Sequence, residues 1–343
     1  MRKQNIINLV KYYAEKNDSA FRNEVSEIAS DFTAAGQEDL GSYLMELIST
    51  TNFYVPQNNY TNLVFLHKKQ FNNESLFLPD EIKDDVLGIV KSVDKKIPIS
   101  KVIFYGKPGS GKTESAYQIA RLLNRDLLTV SMEELIDSHL GQTSKNIVQL
   151  FSEIKRLYST KVVILFDELD AIVMNRSDSR DLREMGRVTS TFLKELDELH
   201  SDILLIATTN LISAFDKALL RRFDAKISFD KYSREDLISV ANCLLQKYIK
   251  KTETSKSDLR LFEKLLKNLD AIPYPGDMKQ IIKISLAFSD ETSEYDYFAR
   301  LYRELYGKKA TVEDLLPKGY TTREIEILTG VSKSKVSRIN KEI

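Results

Sequence analysis

The stretch GKPGSGKT, Gly106 to Thr113, has the spacing G-x-x-x-x-G-K-[ST] of a loop that wraps backbone amides around phosphate. A short apolar pattern, Lys101 to Tyr105, leads into it, and a helical pattern, Glu114 to Leu123, leaves it. Strand, glycine loop and helix therefore stand in the order that phosphate binding needs. A helix N-terminus offers unpaired N–H groups and partial positive charge to an anion, and Gly109 and Gly111 let the backbone come close. Gly106, Pro108, Gly109, Ser110, Gly111, Lys112 and Thr113 are the candidate nucleotide-binding residues, with Lys112 predicted to reach the β- and γ-phosphates and Thr113 to ligate Mg²⁺. A Gly/Pro/Ser turn before a surface helix has a similar composition, so the surroundings decide.

Strand patterns at Val102–Tyr105, Leu127–Val130, Val162–Phe166, Leu204–Ala207 and Lys226–Phe229 alternate with helical patterns. This order predicts an α/β fold, a doubly wound parallel sheet. VVILFDELD, Val162 to Asp170, reads as a buried strand delivering Asp167 and Glu168 at its carboxyl end, where open α/β sheets bind ligands. Asp167 is predicted to hold the Mg²⁺ shell and Glu168 to polarise the attacking water as general base. Acidic residues capping the next helix would look the same in isolation. ILLIATTN ends another strand at Asn210, an amide suited to the γ-phosphate or the lytic water. In ALLRRFD, Arg221 and Arg222 read alone as a solvated surface pair, and after Asn210 as arginine fingers for a neighbouring subunit.

The ordered series GKPGSGKT, SMEELIDSHLGQTSKNIVQLF, FDELDAI, ATTN and ALLRRFD resembles the AAA family of ATPases over about residues 76 to 300. The resemblance implies an ATP- and Mg²⁺-dependent P-loop hydrolase that remodels proteins as a homo-hexameric ring. It makes Glu168, Asn210, Arg221 and Arg222 catalytic, with Asn210 the sensor and the two arginines acting in trans. Two departures stand out. His139-Leu140-Gly141 occupies the place of the family's aromatic pore run, and Gly276-Asp277 stands where some branches carry a lid arginine. The polar segment Asn175 to Gly186 is a candidate second pore loop, with Asp181, Glu184 and Arg187 as candidate intersubunit contacts.

The chain has 343 residues, 42% hydrophobic and 29% charged, and its fifty basic residues balance fifty acidic ones. That composition is ordinary for a globular protein and carries no overall polyelectrolyte signature. Cys243 is the single cysteine, which excludes an intramolecular disulfide or a cysteine-cluster metal site and fits a reducing cytoplasm. No apolar run reaches the length of a membrane span, and the N-terminus is charged too early for a signal peptide, so a cytoplasmic location without membrane contact is expected. The three histidines, His67, His139 and His200, form no H-E-x-x-H motif. Any proteolysis would come from a separate peptidase.

The predicted organisation is a helical substrate- or adaptor-binding unit at 1–52, a connector at 53–75, the nucleotide-binding domain at 76–232, a helical lid at 233–307 and a helix-turn-helix at 308–343. In the first unit, Ile6, Leu9, Val10 and Tyr13 are expected on one helix face, and Phe21, Val25, Ile28, Ala29 and Phe32 on another. The connector holds a strand-like piece at Leu63–Leu66. The first unit is similar to bacterial AAA proteins encoded beside a subtilisin-like peptidase and suspected of mobile-element or defence roles. The tail GYTTREIEILTGVSKSKVSRIN resembles the short helix-turn-helix of site-specific recombinases and repressors, with Lys333, Lys335 and Arg338 on its second helix, and departs from it at Glu326. Three functions remain open: an ATP-driven protein remodeller, an ATP-switched regulator that binds DNA through 311–343, and a nucleotide-binding scaffold.

Overall fold

The computed structural model describes residues 3–15, 18–34, 37, 40–45, 63–70, 76–95, 97, 99–136, 141–157, 161–171, 181–252, 255–290 and 293–342. His139, Leu140 and residues 172–180 lie outside them, as do the side chains of Asp181 and Glu184. The chain divides into two compact units, 1–62 and 63–343.

In the first unit, α1 (Lys3–Ala14) packs on α2 (Asp18–Ala34). Val25, Ile28 and Ala29 of α2 are buried, and Asn8 donates to the Glu24 carboxylate at 3.1 Å. The expected α1 face is corrected: Ile6, Val10 and Tyr13 are exposed, and Leu9 is half-buried beside Asn5, Asn8 and Tyr12. With α2 as its partner, α1 covers the stripe at spacings of three and four through Asn8, and its apolar residues straddle two faces.

The second unit is built on a six-stranded sheet in the order β1-β3-β4-β5-β2-β6. Its strands are β1 (Leu66–Lys69), β2 (Lys101–Tyr105), β3 (Asp126–Val130), β4 (Val162–Phe166), β5 (Leu204–Thr209) and β6 (Ala225–Ser228). β2 to β6 pair in parallel, and every residue of β4 and β5 is buried, as apolar runs covered on both faces require. Register explains what meets at the carboxyl edge. Tyr105 pairs with Thr209, so the loop after β2 starts beside Asn210; Phe166 pairs with Ala207, so Asp167 emerges beside Thr208.

β1 corrects the connector. Leu66 to Lys69 form an edge strand antiparallel to β3, with Leu66 opposite Val130. Only Leu66 is buried in the strand, so LHKK carries too little apolar alternation to be read as sheet. Just before it, Glu153 of α6 (Gln142–Lys155) accepts the N–H groups of Val64 at 3.2 Å and Phe65 at 3.3 Å.

After the sheet, Ser233 caps α9 (Arg234–Ile249) in a reciprocal capping box with Asp236. The lid continues with α10 (Leu259–Lys267), α11 (Pro275–Ala287) and α12 (Tyr297–Tyr306), and the tail with α13 (Val312–Leu315), α14 (Thr322–Thr329) and α15 (Lys333–Glu342). Here too the expected division shifts: lid and tail share one hydrophobic core, in which Leu265, Phe298 and Tyr302 meet Tyr320, Ile325 and Val336. A segment as short as 308–343 cannot bury a core of its own. Gly330, at φ +71°, ends α14, and Glu326 accepts the Lys333 N–H at 3.2 Å. The residue that departs from the helix-turn-helix pattern thus caps its second helix.

Candidate active site

The phosphate loop follows β2 and ends in α4 (Lys112–Leu122), whose N-cap is Gly111 at φ +98°, a conformation that glycine adopts without a Cβ clash. Lys112 is only 7% exposed and donates to the carbonyls of Gly106 at 2.8 Å and Lys107 at 2.9 Å, and to Asn210 Oδ1 at 2.7 Å. Those three acceptors engage all the donors of one ammonium. Burial pushes its pKa below the ordinary lysine value, against the pull of Asp230, Asp167, Asp170 and Glu168.

Asp167 Oδ1 accepts from Thr113 Oγ1 at 2.8 Å and Thr208 Oγ1 at 2.6 Å. Thr208 Oγ1 in turn accepts the Glu168 N–H at 3.0 Å. Glu168 has φ +53°, a left-handed conformation unusual for a residue with a side chain, so the β4 exit turns sharply between the two carboxylates. Asn210 N–H points to Asp170 Oδ1 at 3.4 Å. Sequence reasoning missed Thr208, because a threonine inside a strand reads as β-branched packing.

A cleft of ≈310 Å³ brings together Pro108, Gly109, Gly111, Lys112, Thr113, Asp167, Glu168 and Asn210. Leu76 and Phe77 line one part of it, and the lid supplies Val240, Leu244, Lys247, Pro275, Gly276 and Lys279. Among the described residues the lid contributes two lysines and no arginine to this lining. One contact fastens lid to loop, the Gly276 N–H donating to the Gly109 carbonyl at 2.8 Å, and just before the lid Tyr232 OH donates to the Ser110 carbonyl at 2.8 Å. Tyr232 packs edge-on against Tyr274, and Lys107 lies over the Tyr274 ring. Ser110 itself is fully buried, and its hydroxyl lies outside the cleft lining.

Arg221 and Arg222 are not among the residues lining the cleft. Arg222 Nε is 3.2 Å from Asp197 Oδ1 of α7 (Asp181–Asp197), and its Nη1 donates to the Ala218 carbonyl at 2.9 Å. Arg221 is exposed, as is Arg187.

The donor set fits a Mg-nucleotide. Thr113 and Asp167 present a hydroxyl and a carboxylate, hard oxygen ligands, at the mouth of the phosphate loop. No cluster of three or more His, Cys, Asp or Glu side chains forms a metal cage among the described residues. Mg²⁺ commonly takes one or two protein oxygens and completes its shell from phosphate and water.

Fold and cleft together define a P-loop nucleotide-binding domain. Residues 102–231 match the model of the ATPase family associated with various cellular activities, AAA. Over those residues the chain carries an AAA ATPase domain. An uncharacterised AAA family ATPase of Sinorhizobium fredii is 36% identical over 154 residues, 43% of this chain and 46% of that one. The proteasome-activating nucleotidase of Methanoregula boonei is 32% identical over 210 residues, 59% of this chain and 45% of that one. The peroxisomal ATPase PEX6 of Rattus norvegicus is 35% identical over 171 residues, 48% of this chain and 17% of that one. The chain spans less than half the length of these curated relatives. The solved AAA domain of FIGL-1 in complex with ADP shares the fold, with a TM-score of 0.51 at 18% identity over 81% of this chain and 91% of that one.

Proposed function

We propose that this chain hydrolyses ATP and couples turnover to remodelling of a protein recruited by its N-terminal unit, working as a homo-hexameric ring in the cytoplasm. One observation carries the reading: Lys112, the Thr113–Asp167 pair, Glu168 and Asn210 converge on a single cleft. The loop amides and Lys112 bind and orient the phosphates. Thr113 and Asp167 would hold Mg²⁺, which would supply charge neutralisation to the phosphates. Glu168 takes the proton of the attacking water, a role worth about 10²- to 10⁴-fold in rate. Asn210, with its Oδ1 held by Lys112, keeps its amide N–H₂ to donate to the γ-phosphate or the lytic water. Arg221 and Arg222, lying off the subunit's own cleft, serve the nucleotide of the neighbouring subunit.

The relatives support protein remodelling at the level of class, since a proteasome-activating nucleotidase and a peroxisomal ATPase are among them. A separate peptidase would act on what the ring unfolds. Glu168→Gln should keep ATP affinity and lose turnover, and a pull-down on that variant should retain substrate and partners. Undiminished hydrolysis by it would overturn the assignment of the base.

A second reading rests on a different observation. Lys335, Arg338 and Lys341 stand exposed on α15, and this supports the alternative of an ATP-switched, DNA-associated regulator.

A further inference from the structure

We infer that the outer face of α15 binds duplex DNA and that this binding is coupled to the nucleotide in the cleft, because the tail bearing that face and the lid form one packed body. The inference rests on the second reading above, with DNA as the ligand of the tail.

α15 is held by a narrow strip: Val336 is fully buried and Ile339 half-buried. Around them, Ser334, Lys335, Ser337, Arg338, Asn340 and Lys341 are exposed. Lys333 is engaged by Glu326 at 3.5 Å. Residues 331–342 carry Lys333, Lys335, Arg338 and Lys341 against the single carboxylate of Glu342, in a chain whose basic and acidic residues are equal in number. Interleaved cations and short polar side chains are what phosphate oxygens and base edges accept. A helix of 10 residues following a glycine turn fits the major groove of B-form DNA, while the A-form major groove of RNA is too narrow to admit it.

The coupling follows from how that helix is mounted. Val336 and Ile325 join the lid core against Leu265 and Phe298. Polar ties reinforce the junction. Lys264 of α10 donates to the Gly319 carbonyl at 2.7 Å and pairs with Glu324 at 2.7 Å, and Asn268 donates to Tyr320 OH at 2.9 Å. At its other end the lid touches the phosphate loop through Gly276 on the Gly109 carbonyl, and its Tyr274 packs on Tyr232, which donates to the Ser110 carbonyl. A change in how that loop holds phosphate therefore shifts the body on which the cationic face is carried. Any ligand whose affinity differs between two attitudes of that body biases the other site by the same factor.

The test uses the full chain and a fluorescein-labelled duplex of mixed sequence, followed by anisotropy between about 50 and 200 mM salt. The duplex Kd should differ by about five-fold or more between ADP and a non-hydrolysable ATP analogue, and saturating duplex should shift nucleotide affinity by the same factor. Replacing Lys335, Arg338 and Lys341 together by alanine should weaken duplex binding, lower the slope of log K against log salt by about three, and leave DNA-free ATPase activity unchanged. Absence of tail-dependent duplex binding overturns the DNA reading and the inference with it. Tail-dependent binding with one Kd in both nucleotides overturns the coupling alone, and ATPase assays without DNA judge the hydrolase reading separately.

Discussion

The second residue of α11, Gly276, donates its backbone N–H to the carbonyl of Gly109 at 2.8 Å, so lid and phosphate loop touch backbone to backbone. A Cβ at Gly276 would lie 2.7 Å from Gly109 Cα and 3.2 Å from its carbonyl oxygen, with no flexible side chain able to yield. Gly276→Ala should force lid and loop apart at the usual cost of overpacking, about 1–3 kcal/mol. If that strain acts on the closed cleft, nucleotide affinity falls about 5- to 150-fold. Titration with a fluorescent ATP analogue checks this, and an unchanged Kd would remove the contact from any role in binding.

Thr208 connects the two carboxylates: it donates to Asp167 and accepts from the Glu168 N–H. Thr208→Val keeps the shape of the strand and removes both bonds, so kcat should fall while the nucleotide Kd stays near wild type. Equal kcat in the two proteins would show that Thr208 does not position Glu168. The left-handed backbone of Glu168 offers a companion measurement. Glu168→Gly should unfold about 0.5–1 kcal/mol less readily than Glu168→Gln in urea, because glycine relieves the strain and recovers only part of it as unfolded-state entropy.

The cleft was legible in the sequence where a local pattern carried it. Apolar runs ending in Asp167 and Asn210, and a glycine loop before Lys112, announce strand ends on one edge of a parallel sheet. What stayed hidden depends on approach through space. Gly276 meets Gly109, and Lys247 and Lys279 reach the cleft, because the lid folds back over it, and no neighbouring residue signals that. The strand-like piece expected at Leu63–Leu66 lies three residues early of β1, Leu66–Lys69, since the pairing to β3 is a backbone matter. Glu326 looked like an exception to a pattern until its place at the N-terminus of α15 gave it a capping role.

Burial of Lys112 makes a pH prediction. Its pKa is pushed below 10.5, so the unfolded chain holds this proton more tightly than the folded one. Wild-type stability should therefore rise relative to Lys112→Met as pH climbs from the lowered pKa towards 10.5, and the difference should be flat well below that window. Denaturant unfolding of both proteins at about pH 8 and pH 10 measures it. A difference that shrinks with rising pH would contradict the burial argument.

Ile325 and Leu265 are both fully buried in the core shared by tail and lid. Ile325→Ala should cost about 2–5 kcal/mol, and truncation before Thr311 should expose the lid core rather than free a lid that folds alone. Hydrogen exchange on α10 and α12 reads the outcome. If those helices stay as protected after truncation as before, lid and tail are independent bodies.

Arg222 makes an ion pair with Asp197 at 3.2 Å on a part-exposed surface, where such pairs contribute about 0.2–1 kcal/mol. Arg222→Ala should therefore fold almost as stably as wild type. If the side chain completes a neighbour's site, its loss should still lower turnover by about 10³- to 10⁵-fold. Complementation separates action in trans from action within the subunit. Arg222→Ala subunits keep an intact Lys112, and Lys112→Ala subunits keep an intact Arg222. Mixing the two inactive proteins should restore turnover at interfaces where a good loop faces a good arginine, with activity peaking near equal proportions. Absence of recovery in mixtures shown to co-assemble would mean that Arg222 does not act across a subunit interface.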